Sequence, residues 1–205
     1  MNDNDVRPMA KRMLGLAVLG ALVFVSLPAA AQPVKAGYIY TLSGFTGPIR
    51  SDFSRVSVDR ERNEVYVLYQ NTVRVFNEFG MEVYQFGDDL VLGHILDLAV
   101  DEPGDILLLV YRERGTVIVR CDYRGRPRSE ITLKGLPRDF SDFVANRMVF
   151  RRGAFHLAST MGLKLVMVDG DGTFTKGYDL FPMFELEEKD RGNVELGGFS
   201  VDAEA

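Results

Sequence analysis

A repeated set of four short strand-like runs constrains this chain more than any other feature. Between positions 55 and 86 the sequence reads RVSVD, EVYVLY, TVRVF and EVYQF, and each run alternates apolar with polar residues. A period of two is typical of a strand with one buried face, and short intervening turns make neighbouring strands antiparallel. The segment therefore predicts a four-stranded antiparallel meander.

The same pattern recurs twice further along the chain. The second unit has strand-like runs at 97–101, 106–111, 116–121 and 128–133, and the third at 147–150, 154–159, 164–168 and 174–178. Turn glycines Gly80, Gly125 and Gly172 follow the third run of each unit, and Gly80 is expected to supply a positive φ. Units of forty-odd residues with four strands each are typical of propeller blades. The sequence predicts an all-β fold, a partial β-propeller of about three blades at roughly 54–87, 96–134 and 146–180.

At these residues the chain resembles the NHL-repeat family of β-propellers. The motifs that carry the resemblance are VSVD ending at Asp59, LAVD ending at Asp101 and FSVD ending at Asp202, with EVYV and VRVF in the first unit. The third unit departs from the pattern, with Phe150-Arg151 in place of Val-Asp. The resemblance implies a ring of commonly about six blades. Some relatives of this fold are metal-dependent lactonases or lyases.

Strand-like segments also flank the three units. Residues 38–42 alternate like a strand and end in a turn at Ser43-Gly44, residues 43–53 read as a loop, and 198–205 contain the opening strand of a fourth unit. The pattern predicts that both flanks are halves of blades, with the other halves expected outside this sequence. Either the chain is a piece of a longer propeller, or two copies complete one ring. The interruption of the last unit within its motif favours the first alternative.

The first 31 residues have the pattern of a secretory signal peptide. Basic residues Arg7, Lys11 and Arg12 precede an apolar run at 13–27, and Ala29-x-Ala31 follows it. An uncleaved membrane anchor is the alternative, but the run is short for a span of about 20 residues. We therefore expect residues 32–205 to be exported, to a bacterial periplasm or outside the cell.

The net charge excludes one class of partner, and the single cysteine bears on whether a disulfide can form. The net charge of −5 becomes −6 after removal of residues 1–31, and no basic stripe is present. Such a chain is not expected to bind nucleic acid. The single cysteine, Cys121, lies in an apolar run, which predicts a small buried side chain rather than an intermolecular disulfide.

Metal-binding signals in the sequence are weak. The stretch from Asp169 to Gly172 resembles the start of a calcium loop but lacks the later Gly and Glu, so it predicts a hairpin turn. The two histidines are His94, expected in an inter-blade loop, and His156, and their spacing does not bring them together. The acidic cluster at 185–190 is expected to solvate a loop. We predict no metal site and no cofactor.

Three carboxylates end the opening strands of their units, namely Asp59, Asp101 and Asp202. These strands would lie nearest the central channel, so the carboxylates could bind a cation or a basic ligand at one mouth. The alternative is that each caps the turn that follows it through a side-chain oxygen, and this alternative is favoured.

The sequence favours a non-enzymatic binding or scaffold module for a protein, peptide or glycan partner in the cell envelope. Loops on a rigid frame often carry function, and the predicted loops contain residue types common at binding hot spots: Tyr69, Arg112, Arg114, Tyr123 and Arg126. The alternative is a fragment of a metal-dependent propeller enzyme of lactonase or lyase type.

Overall fold

The computed structural model of the protein describes residues 37–39, 41–44, 47–48, 54–87, 91–113, 115–190 and 192–202. The chain divides into two compact units, residues 1–39 and 40–205. The predicted signal peptide and mature N-terminus lie outside the described residues. Among the residues described, no helix has both the length and the apolar character needed to cross a membrane.

The second unit contains three antiparallel four-stranded sheets. Blade 1 contains β3 (Arg55–Asp59), β4 (Glu64–Tyr69), β5 (Thr72–Phe76) and β6 (Glu82–Phe86). Blade 2 contains β7 (His94–Val100), β8 (Ile106–Arg112), β9 (Gly115–Cys121) and β10 (Pro127–Ile131). Blade 3 contains β11 (Arg147–Arg151), β12 (Ala154–Ser159), β13 (Lys164–Val168) and β14 (Phe174–Asp179). Each sheet pairs its strands in chain order, as a meander does.

The minor elements are short. A pair of two-residue strands, β1 (Ser43–Gly44) and β2 (Gly47–Pro48), precedes blade 1. One helical turn, α1 (Leu180–Met183), follows blade 3, and 3-10 turns occupy Arg138–Phe140 and Glu188–Asp190. Asp179 caps α1, because its side chain accepts a hydrogen bond from the Phe181 amide.

The first strands of the three blades are neighbours in space. Strand β7 lies beside β3 on one side and beside β11 on the other. Successive four-stranded meanders whose first strands adjoin are the arrangement of propeller blades around an axis. The prediction of an all-β partial β-propeller is therefore confirmed.

Blade 2 is packed on both faces. On one side Ile106, Leu108 and Val110 of β8 join a buried cluster with blade 1. On the other side Leu107 and Leu109 join a second cluster with blade 3. Side chains alternate across a strand, so a continuous apolar run such as ILLLV can fill two interfaces at once. Cys121 is buried in the first cluster, as expected, and burial raises the pKa of its thiol to about 12.

The turn between the third and fourth strands has the same geometry in every blade. It begins at Asn77, Asp122 or Asp169, whose side-chain oxygen accepts hydrogen bonds from the backbone amides two and four residues on. The amides of Gly80, Gly125 and Gly172 donate to the backbone carbonyl of that first residue, and these glycines have φ of 75°, 75° and 83°. The positive φ expected at Gly80 is therefore present, and Asp169 starts a hairpin turn as predicted.

Four local predictions were wrong. None of the described residues between 38 and 42 is in a strand, and Ser43-Gly44 is not a turn but β1, paired with β2 inside the predicted loop. His94 is the first residue of β7 rather than part of a loop. Residues 199–202 are also not a strand.

The segment at 199–202 nevertheless runs beside blade 3. Arg151 Nη1 donates to the Val201 carbonyl at 3.0 Å, and the segment borders a groove with His156, Leu165, Met167 and Tyr178. Alternation shows that a segment has a face for burial, but a strand also needs a neighbour for its ladder hydrogen bonds. No described residue pairs with this segment in a ladder.

Candidate functional site

The meander topology divides the predicted binding residues between two edges of the blades. We call the edge with the turns after first and third strands the front edge, and the edge with the turns after second strands the back edge. Tyr123 and Arg126 follow β9 at the front edge, whereas Tyr69 and Arg112 end second strands at the back edge. Arg114 lies outside the described residues. Consecutive turns of a meander alternate between edges, so these residues do not share one face.

The aspartates at the ends of the first strands act within the front-edge turns. Asp59 Oδ1 accepts hydrogen bonds from the amides of Glu61 and Arg62, and Asp101 Oδ1 accepts one from the amide of Asp105. Burial would raise the pKa of Asp59, but hydrogen bonds from the Arg62 side chain and the two amides outweigh it and lower the pKa. Asp202 is exposed at the end of the described chain. The capping arrangement is therefore present at the first two positions.

A groove of about 320 Å³ at the front edge runs between blades 1 and 2. We call it the tyrosine groove; its lining residues are Arg62, Glu64, Tyr66, Val75, Val83, Tyr84, Tyr123 and Arg124. Tyr123 is 60% exposed and Tyr84 38% exposed, so both rings are open to a partner. Tyrosine and arginine are among the residue types enriched at binding hot spots.

The inner end of the groove is held by polar contacts. Tyr66 is buried, and its hydroxyl donates to Glu64 Oε2 at 2.8 Å. Burial, with the neighbouring Glu64 carboxylate, raises the pKa of Tyr66. Arg62 joins the two blades, because it donates to Asp59 Oδ2 at 2.7 Å and to the Pro103 carbonyl of blade 2 at 2.7 Å. This end of the groove is therefore pre-organised.

The outer end is formed by the front-edge turn of blade 2. The Tyr84 hydroxyl donates to the Arg124 carbonyl, and the Arg124 guanidinium lies 5.2 Å from the centre of the Tyr123 ring. A Cβ atom on Gly125 would lie 2.1 Å from the Phe86 ring, so only glycine lets this turn approach blade 1 so closely. Arg126 lies on the other side of Tyr84, in an adjoining cleft of about 480 Å³.

Sequence reasoning identified Tyr123 and Arg126 but missed Tyr84, Arg62 and Arg124. Arg124 occupies the turn position two residues after Asp122, where any exposed side chain is tolerated. The only sequence feature that could have indicated a binding role for it is that it is an arginine, a residue type enriched at binding hot spots. Tyr84 lies in an edge strand of blade 1, 39 residues before Tyr123. Only the packing of the two blades brings these residues together.

The predicted residues at the back edge are differently placed. Arg112 pairs with Glu130 and donates through Nε to the Leu92 carbonyl at 3.3 Å, beside an open cleft of about 780 Å³. Its guanidinium is thus engaged within blade 2 and with the segment leading into it. Tyr69 ends β4 opposite Thr72 and is half-buried.

The described residues do not form a metal centre. No group of three or more His, Cys, Asp or Glu side chains among them is placed to hold a metal ion. Burial, with the nearby Arg151, lowers the pKa of His156, which lies in β12 of blade 3, whereas His94 begins β7 of blade 2.

Comparisons with known proteins give distant likenesses only. No protein-family model matches the chain, and no curated protein matches it significantly. Among solved structures, a protein of unknown function from Bacteroides caccae is 11% identical with a TM-score of 0.46, over 64% of this chain and 48% of that one. The Pan2 WD40 domain from Neurospora crassa is 16% identical with a TM-score of 0.43, over 68% and 44%.

Virginiamycin B lyase from Staphylococcus aureus is 15% identical with a TM-score of 0.43, over 63% of this chain and 42% of the lyase. The matched regions thus span less than half of each of these structures. The chain is similar in this limited way both to a lyase and to a WD40 domain.

Proposed function

We propose that this protein is a non-enzymatic binding or scaffold module, exported and built of NHL-type blades, that holds an acidic segment of a protein or peptide partner in the tyrosine groove. The observation that carries the proposal is the exposure of Tyr84 and Tyr123 beside Arg62 and Arg124, at a junction that hydrogen bonds already fix. A pre-organised site loses less conformational entropy on binding than a mobile one.

The charge of the front-edge turn in blade 2 supports an acidic partner. Arg124, Arg126 and Arg128 follow one another at alternate positions, and Arg128 pairs with Asp105. The carboxylate of Asp122, at the start of this turn, accepts hydrogen bonds from the Arg126 and Arg124 amides, and these lower its pKa. The guanidinium group of Arg124 therefore lies beside the Tyr84 and Tyr123 rings, and that of Arg126 lies beside the Tyr84 ring, where both can bind carboxylates of a partner.

Selection from a random peptide library on the purified chain tests this proposal. We expect enrichment of peptides that combine Asp or Glu with an aromatic or aliphatic anchor. Their affinity should fall as salt is raised, because exposed charge pairs are screened. Tyr123→Ala should weaken binding of an enriched peptide by about tenfold or more, as expected of a hot-spot tyrosine.

Two further variants sharpen the test. Tyr84→Phe removes only the hydrogen bond to the turn, whereas Tyr84→Ala also removes the ring, so the second variant should lose more affinity. Tyr111→Ala is the matched control, since Tyr111 is 48% exposed but lies at the back edge of blade 2. Equal binding by the wild type and Tyr123→Ala would contradict the proposal.

The rival functions give different outcomes. An uncharged glycan that binds in the groove in place of acidic peptides would overturn the proposed partner but keep a binding module. Turnover of a lactone or another substrate that a chelator abolishes would instead establish the metal-dependent enzyme alternative.

A further inference from the structure

The cleft that adjoins the tyrosine groove differs from it in chemistry. We call it the Val91 cleft; its volume is about 480 Å³, and its lining is Tyr84, Phe86, Gly87, Val91, Leu92 and residues 124–127. Leu92 is 2% exposed and belongs to the buried cluster between blades 1 and 2, against which Phe86 packs. Val91 is 71% exposed. The Val91 cleft therefore combines a buried apolar base with an apolar side chain that is open to solvent.

The charged groups at the Val91 cleft are arginines. Arg124 and Arg126 belong to the front-edge turn of blade 2, both are exposed, and the described lining includes no other charged side chain. Guanidinium groups form strong charge-assisted hydrogen bonds with carboxylates. An apolar cleft between such groups is complementary to an apolar side chain that has carboxylates beside it.

The Val91 cleft and the tyrosine groove adjoin at Tyr84 and Arg124. Both residues line both depressions, and the Tyr84 hydroxyl donates a hydrogen bond to the Arg124 carbonyl. The rings of Tyr84 and Phe86 stack with their centres 5.9 Å apart, and Phe86 lines the Val91 cleft alone. A partner segment that lies across Tyr84 can therefore place neighbouring side chains in the two depressions.

Hydrogen bonds fix the blade 1 side of the Val91 cleft. Asn71 Nδ2 donates to the Gly87 carbonyl at 3.2 Å and to the Gly93 carbonyl at 3.1 Å, so the chain is held on either side of Val91. A cleft with fixed walls loses little conformational entropy when a partner enters it.

We propose that the Val91 cleft binds the apolar anchor of the acidic partner segment. An aromatic or large aliphatic side chain enters the cleft, and the carboxylates beside it bind Arg124 and Arg126. This inference rests on the function proposed above, because it assigns a second contact to the same segment. It adds that the partner is recognised by an apolar residue next to acidic ones and not by negative charge alone.

Two synthetic peptides test the anchor site, namely hexaglutamate and the same peptide with phenylalanine at its third position. NMR titration of the purified full chain measures both affinities and identifies the amides whose signals shift. The phenylalanine peptide should bind about tenfold more tightly or better, because its ring leaves water on binding. The Gly87 and Leu92 amide signals should shift with this peptide and much less with hexaglutamate.

Val91→Ala shows whether this advantage arises in the Val91 cleft. The variant should reduce the advantage of the phenylalanine peptide by about threefold or more, because it removes two methyl groups from the wall. Its affinity for hexaglutamate should match that of the wild type. Val144→Ala is the matched control, since Val144 is 45% exposed but lies before β11 of blade 3. It should keep the full advantage.

The ratio of the two affinities and their absolute values report on different claims. Equal affinities of the wild type for the two peptides, or an advantage that Val91→Ala retains in full, would overturn the anchor site and leave the tyrosine groove as proposed. Binding of neither peptide, or equal binding of both by the wild type and Tyr123→Ala, would overturn the acidic partner itself and the anchor site with it.

Discussion

Single polar side chains join the blades of this protein. Asn71, with a φ of 67°, donates through Nδ2 to the carbonyls of Gly87 and Gly93 and accepts at Oδ1 from the Ile95 amide at 2.6 Å. It thereby ties the back edge of blade 1 to the entry of blade 2. Asp97 has the corresponding role between blades 2 and 3, with the difference that it carries an ionisable group.

Asp97 should give the stability of the protein a distinctive pH dependence. Burial raises its pKa above the ordinary 3.8, although hydrogen bonds from the Met148 and Leu98 amides partly offset the rise. The folded state then binds the proton more tightly than the unfolded state. Stability from this group is therefore present below the unfolded pKa and is lost as pH rises through the folded pKa. The advantage of the wild type over Asp97→Asn should decrease as pH rises.

Urea unfolding of both proteins at stepped pH between about 3.5 and 7 measures this effect. Asp122→Asn is a control of opposite sign, because hydrogen bonds from the Arg126 and Arg124 amides lower the pKa of Asp122. The wild-type advantage over that variant should grow with pH. A wild-type advantage over Asp97→Asn that grows in the same way would contradict the assignment.

At the scale of elements, the turn between the third and fourth strands is a local motif in every blade, and in blades 2 and 3 it is also a contact with the preceding blade. In blade 3, Gly172 and its neighbours reach the end of blade 2, since the Lys134 amide donates to the Gly172 carbonyl at 2.8 Å and the Phe174 amide donates to the Lys134 carbonyl at 2.9 Å. Lys134 and Thr173 form a parallel bridge. Neighbouring residues in the sequence set the geometry of this turn, whereas its contact with blade 2 depends on tertiary packing.

A pair of glycine substitutions separates the two roles. Gly153 has a φ of 75° and no atom within 4 Å of the place that a Cβ would occupy, so Gly153→Ala should cost only the left-handed strain, about 1–2 kcal/mol. Gly172 has a φ of 83°, but a Cβ there would lie 2.4 Å from the Thr132 carbonyl oxygen. Gly172→Ala should cost at least about 1 kcal/mol more, because backbone must move.

Chemical denaturation of the two variants provides the measurement. Equal losses in free energy of unfolding for Gly153→Ala and Gly172→Ala would mean that the backbone at Gly172 is farther from the Thr132 carbonyl than it is in this structure.

At the scale of the whole molecule, blade 2 couples its two neighbours. Its second strand is buried on both faces, so the two hydrophobic clusters share one backbone segment. The tyrosine groove depends on this coupling, since it needs blades 1 and 2 in contact.

Truncation of adjacent leucines should therefore destabilise different neighbours. Leu107→Ala and Leu108→Ala should each cost about 2–5 kcal/mol, because both side chains are fully buried. Hydrogen exchange should rise mainly in blade 3 for Leu107→Ala and mainly in blade 1 for Leu108→Ala, since the two side chains point to opposite interfaces. Met161→Ala, at a 58% exposed position, should change stability by less than about 0.5 kcal/mol. The same exchange pattern for both leucine variants would argue against separate interfaces.

The sequence by itself determined the strands, the turns and the blade repeat. Strands β4, β5, β12 and β13 have the predicted bounds, because period-two alternation and turn residues act over a few neighbouring positions. The same local signal failed at residues 38–42 and 199–202, since alternation cannot show whether a partner strand is present to form a ladder.

Only the tertiary structure decided where the candidate sites lie. Tyr84 and Tyr123 are 39 residues apart, yet both line the tyrosine groove because blades 1 and 2 pack side by side. The repeat spacing could have aligned Arg55, Asp97 and Arg147, but not shown that Asp97 is occupied by backbone amides. Local sequence patterns specify secondary structure, whereas contacts between blades depend on packing that no single segment encodes.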